Sequence, residues 1–147
     1  SLSGFNERKR GMIEELKKVL LDELKELKDL LDLLEKQHKL IVSKNVFGLE
    51  AIVEEIQIQN KKLAESEVNR RKVLGHKSIT EFVLNSKDED LDRIYRKIGR
   101  TLSEVVLQKD TNGLLIKQQL VFTNRLLNLI NPKRDVPTYN SYGNIKR

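Results

Sequence analysis

Apolar residues recur along this chain at steps of three and four, the period of a helix that buries one face. From Met12 to Asn45 there is neither glycine nor proline, and Leu24, Leu27, Leu31, Leu34, His38 and Ile41 form a heptad seam. Glu14 and Lys18, Asp32 and Lys36, and Glu35 and Lys39 stand four apart with the acid first, the favourable order on a solvated helix face. A first helix over about 12–45 follows, closed by Asn45-Val46-Phe47-Gly48, where Gly48 can take the left-handed conformation. The next segment, about 49–74, places Leu49, Ile52, Ile56 and Leu63 on one side. It ends on Arg70, Arg71 and Lys72 ahead of Gly75, cations where a helix C-terminus favours them. So short a connection lays these two helices antiparallel, seam against seam.

Ser78 and Glu81 have capping-box spacing ahead of Phe82, Val83 and Leu84, which predicts a small helical turn within the connector 76–87. Ser86 and Glu89 repeat that spacing, and Asp88, Glu89 and Asp90 fall where a helix N-terminus favours negative charge. A third long helix is therefore predicted over about 87–131. Its seam of Leu91, Ile94 or Tyr95, Ile98, Leu102, Val105, Ile116, Leu120, Leu127 and Ile130 keeps phase across the polar stretch Lys109 to Gly113. That phase favours one helix, with a kink near Asn112 as the alternative. Pro132 ends it. The expected fold is all-α: an antiparallel bundle or coiled coil of three long helices plus a short connecting helix. Residues 1–131 form a single helical domain and 132–147 a flexible tail.

Composition supports thin cores. Of 147 residues, 38% are apolar, 34% charged and 5% aromatic, a mixture suited to elongated helices. No cysteine is present, so disulfides, thiolate metal sites and a cysteine nucleophile are excluded. No apolar run approaches the ~20 residues of a membrane span, and the opening SLSGFNERKR lacks a signal-peptide core, so the cytoplasm is the expected compartment. The net charge of +6 invites a nucleic-acid partner, but residues 1–11 carry +2 and 132–147 carry +3, leaving +1 between them. A phosphate-binding face needs its cations on the folded body, so nucleic acid is disfavoured.

Chemistry is equally sparse. The chain has no P-loop, dinucleotide-binding glycine pattern, HExxH or GxSxG. His38 and His76 are the only histidines, and although Glu35 and His38 share the Glu-x-x-His spacing of di-iron bundles, no second copy exists. His38 is expected to be partly buried and hydrogen-bonded. Carboxylates sit mostly beside lysines on solvated faces, so neither an enzyme, a metal nor a cofactor is expected.

What exceeds background is apolar width. Ten of the seventeen residues from Leu114 to Ile130 are apolar, and ten of the nineteen from Leu16 to Leu34, too many for one narrow seam. Such faces are covered by a third helix, by a second copy of the chain, or by a partner helix in an open groove.

The order of these features resembles the FlgN family of flagellar type III export chaperones. The likeness rests on LLDLLEKQHKL in the first helix, IVEEIQIQNKKLAESEVNRRKVL in the second and NGLLIKQQLVFTNRLLNLI in the last. It rests also on the tail element TYNSYG, where Thr138-Tyr139 precedes Gly143. The resemblance implies a cytoplasmic, ATP-independent chaperone that holds the C-terminal helical regions of hook-filament junction proteins before secretion. The cargo face would then be Leu115, Ile116, Leu120, Phe122, Leu126, Leu127 and Ile130. Tyr139 is the positional match to the tail tyrosine that docks on the cytoplasmic domain of the export gate, with Tyr142 as its rival. The polar stretch Lys109 to Gly113 departs from the pattern and puts the rigidity of the cargo face in doubt. The alternative is a self-associating coiled-coil scaffold or adaptor, a homodimer whose wide faces meet each other.

Overall fold

The computed structural model describes residues 2–131. Regular structure there consists of four helices, α1 (Leu2–Val42), α2 (Val46–Leu74), α3 (Ile79–Ser86) and α4 (Glu89–Ile130), with no strand among the described residues. This is the expected all-α fold of three long helices and a short connecting one. The helix expected from Met12 begins instead at Leu2. Gly4 and Gly11 lie inside it, and each helical glycine costs only about 1 kcal/mol, too little to stop a helix flanked by good formers.

Packing divides the chain into two compact units. The first takes Ser1–Leu30 and Gln59–Ser103. In it α1 buries Ile13, Leu16, Leu20, Glu23, Leu27 and Leu30, whose spacings alternate three and four. Gln59 donates its amide to the Glu26 carbonyl at 3.0 Å, and Arg70 reaches the buried Glu23 carboxylate at 3.0 Å. These contacts run in opposite directions along α1 and α2, so the pair is antiparallel. Leu91, Ile98 and Thr101 of α4 and Val83 of α3 complete this core.

The second unit takes Leu31–Ile58 and, among the described residues, 104–131. Leu34, Gln37 and Ile41 face inward from α1, Ile52, Val53 and Ile56 from α2, and Val105, Asn112 and Ile116 from α4. Asn112 bonds the Leu34 carbonyl and Gln37 while Gln119 bonds the Ile41 carbonyl, so α4 lies parallel to α1 here. The polar stretch Lys109 to Gly113 is continuous helix, because its asparagine is used inside the core.

Three local expectations are corrected. The buried positions are Leu30 and Gln37, with Leu31 and His38 one step aside and half-buried. The buried Nδ1 of His38 finds no hydrogen-bond partner. Gly48 does not close the first helix. Lys44 takes the left-handed conformation there (φ 56°), and Asn45 Oδ1 accepts from the Gly48 N–H at 2.9 Å to cap α2. Glycine at 48 instead permits close packing, since a Cβ would stand 2.7 Å from a Leu40 methyl. Finally, Lys87 is left-handed and closes α3, so the cap of α4 is Asp88 rather than Ser86. Its carboxylate accepts from the Leu91 N–H at 2.9 Å, while Ser86 donates to the Val83 carbonyl. Ser78 caps α3 through the Glu81 N–H as its spacing predicts.

Candidate functional site

Within the second unit α4 carries apolar residues on two opposite faces. Val105, Asn112 and Gln119, seven apart, point into the unit: the first two are buried and the third bonds the Ile41 carbonyl at 3.0 Å. Leu107, Leu114 and Val121 repeat the same step two residues later, a rotation of about 200° that carries them to the far side. All three are exposed, Leu114 at 58%, and Phe122 (65%) and Leu129 (83%) widen the row toward the helix end. Lys117, Gln118, Val121, Phe122 and Arg125 line a shallow hollow on this face, an apolar centre with a cation at each end.

The inward face also changes along the helix. Ile116 is the last buried residue of α4. α1 ends at Val42, just past the Ile41 that meets Gln119, while residues 120–130 of α4 continue for about 16 Å. Side chains that would otherwise enter the core there, Leu126 and Ile130, stand exposed.

The seven α4 positions singled out from the sequence therefore do not form one surface. Ile116 is in the core, Leu115, Leu120 and Leu127 are half-buried, and Phe122, Leu126 and Ile130 are open to solvent. Leu107, Leu114, Val121 and Leu129, passed over as candidates, belong to the open row. Their signal was the step of seven, which was masked by apolar residues on both faces. Tyr139 and Tyr142 lie outside the described residues.

No group of three or more His, Cys, Asp or Glu side chains is placed to hold a metal among the described residues. Nor is any described helix long and apolar enough to cross a membrane. What the arrangement offers is a stiff, solvent-facing apolar row whose geometry suits another helix.

Neither the curated proteins nor the solved structures contain a significant match to the chain. The family model described as FlgN protein matches residues 12–147, which leaves only the first turns of α1 outside it. With its long all-helical fold and so extended a match, the chain belongs to the FlgN family, a family of chaperones rather than enzymes, and this membership supports a flagellar export chaperone role.

Proposed function

We propose that the protein is a cytoplasmic, ATP-independent chaperone that binds the C-terminal helical regions of flagellar hook-filament junction proteins and delivers them to the type III export gate. One observation carries this reading: Leu107, Leu114, Val121, Phe122 and Leu129 form an exposed apolar row on the second half of α4, away from the face that the bundle buries. A partner helix laid along that row removes apolar surface from water at about 25 cal/mol per Å², less the cost of ordering both partners. Leu126 and Ile130, exposed on the inward side beyond the end of α1, add apolar surface at the helix end, while Ile116 is buried and Leu115, Leu120 and Leu127 are half-buried. Tyr139 and Tyr142 are the candidate gate contacts.

The test is titration of the full chain with the C-terminal helical region of a junction protein from the same genome. Val121→Asp with Phe122→Asp should abolish the complex while helicity and Tm stay unchanged. Tyr139→Ala and Tyr142→Ala should leave it intact and weaken capture by the cytoplasmic domain of the gate. Undiminished cargo binding by the double aspartate variant would overturn the reading. Concentration-dependent light scattering showing an obligate dimer closed over the same row would replace it with the scaffold.

A further inference from the structure

The exposed row on α4 carries charge as well as apolar surface, and the charge narrows what can lie on it. From Glu89 to Asp110 the helix holds five acidic and five basic residues, with Asp90 paired to Arg93 and Asp92 to Arg96, each at 3.0 Å. From Thr111 to Asn131 it holds two cations, Lys117 and Arg125, and no acid. Both are exposed, and neither forms an ion pair among the described residues.

These two cations belong to the hollow itself. It measures about 460 Å³ and is walled by Lys117, Gln118, Val121, Phe122 and Arg125. Val121 stands four residues from each cation, so one lies a turn before it and the other a turn after it, about 12 Å apart along the axis. Asp110, the nearest acid of the helix, is seven residues before Lys117 and outside the hollow. A wholly apolar helix laid here strips water from both cations and gives them nothing in return, whereas a carboxylate opposite each keeps them paired.

The same spacing opposes closure of the hollow by a second copy of the chain. A two-fold antiparallel pair of α4 helices centred on Val121 sets Lys117 of one copy opposite Arg125 of the other. A parallel pair in register sets Lys117 beside Lys117. Both arrangements bring like charges together.

We propose that the α4 row takes an acidic amphipathic helix, one whose apolar stripe is flanked by two carboxylates about seven or eight residues apart. The carboxylates meet Lys117 and Arg125 while an apolar side chain between them fills the hollow at Val121 and Phe122. This preference rests on the cargo reading and gives its chemistry: Lys117 and Arg125 select among helices of equal apolarity.

The experiment uses the full chain and three labelled synthetic helices with the same leucine stripe, whose two flanking positions are both glutamate, both glutamine or both lysine. Fluorescence anisotropy should rank them in that order, the glutamate helix binding ~10-fold or more tighter than the lysine one. The gap should narrow as salt is raised. Lys117→Glu with Arg125→Glu should reverse the order, which partial unfolding would not mimic, and Val121→Ser with Phe122→Ser should weaken all three. Equal affinity for the three helices, no binding of any, or an order unchanged by the charge reversal overturns the proposal. So does a dimer of the parent chain that light scattering detects and Val121→Ser with Phe122→Ser dissolves. The cargo reading fails on a separate result, undiminished junction-protein binding by Val121→Asp with Phe122→Asp.

Discussion

Asn112 of α4 donates to Gln37 of α1 at 3.0 Å in a place where neither side chain meets solvent. The same amide reaches the Leu34 carbonyl at 2.8 Å, and Gln108 donates to the Asn112 oxygen at 2.9 Å, so both ends of the asparagine are satisfied. A polar residue satisfied at one level of an apolar seam fixes which residues face each other, because a slipped register leaves it unpaired. Asn112→Ala should cost about 1–3 kcal/mol, the penalty for leaving buried acceptors without a donor. Urea unfolding measures it, and a shift within experimental error would show that water or a neighbour takes over the bonds.

Glu23 and Arg70 make the corresponding contact in the first unit, but with charge. Burial raises the Glu23 pKa above its usual 4.5, assisted by Glu67 and opposed by Arg70. The geometry alone suggests a stabilising pair at 3.0 Å, while the direction of the shift says that desolvation of the carboxylate outweighs it. A raised pKa means that the folded state binds the proton more tightly, so the Glu23 contribution to stability falls as pH rises from 4.5 through the raised value. Arg70→Leu strips the carboxylate of its cation and should cost roughly 2 kcal/mol or more at pH 7, a loss that shrinks as the pH falls through the raised value to 4.5 and Glu23 protonates. Denaturation midpoints at the two pH values decide the matter, and a loss independent of pH would contradict it.

Asp88 has the opposite sign. The Leu91 N–H first, and then Lys17, hold its pKa below 3.8. Its stabilisation is therefore complete above 3.8 and disappears as pH falls through the lowered value. Asp88→Ala should cost about 1 kcal/mol, typical of a lost N-cap. Asp88→Asn should retain most of that at neutral pH, because its side-chain oxygen still accepts from Leu91. Thermal unfolding of both variants at pH 7 is the check. Equal losses would mean that the ion pair with Lys17, rather than the cap, carries the effect.

Helix number and connectivity were legible from the sequence because they depend on local signals: heptad spacing, Ser78 with Glu81, Gly75 and Pro132. The phase of the seam was not. In a leucine-rich helix both Leu30 and Leu31 are plausible inward residues. What decides between them is that Glu23 and Gln37, polar residues on the inward face, meet Arg70 and Asn112 from distant parts of the chain. The polar stretch before Gly113 looked like an interruption for the same reason, since the partner of Asn112 lies on another helix. Apolar width pointed to α4 but summed two faces, and so mixed Ile116 with Phe122.

Those two residues give the sharpest separation of stability from binding. Ile116 is 9% exposed and faces the second unit, so Ile116→Ala removes buried methyl groups and leaves a cavity, at a cost of about 2–4 kcal/mol. Phe122 is 65% exposed, and substitutions at such positions stay within about 0.5 kcal/mol. Unfolding curves should therefore show a large loss for Ile116→Ala and almost none for Phe122→Asp. Cargo titration at a temperature where both variants are folded should show the reverse: Ile116→Ala binds within a few-fold of the parent, and Phe122→Asp loses affinity by ~10-fold or more. If cargo affinity instead follows stability across the two variants, the inward face is what cargo reads, and the bundle has to open to receive it.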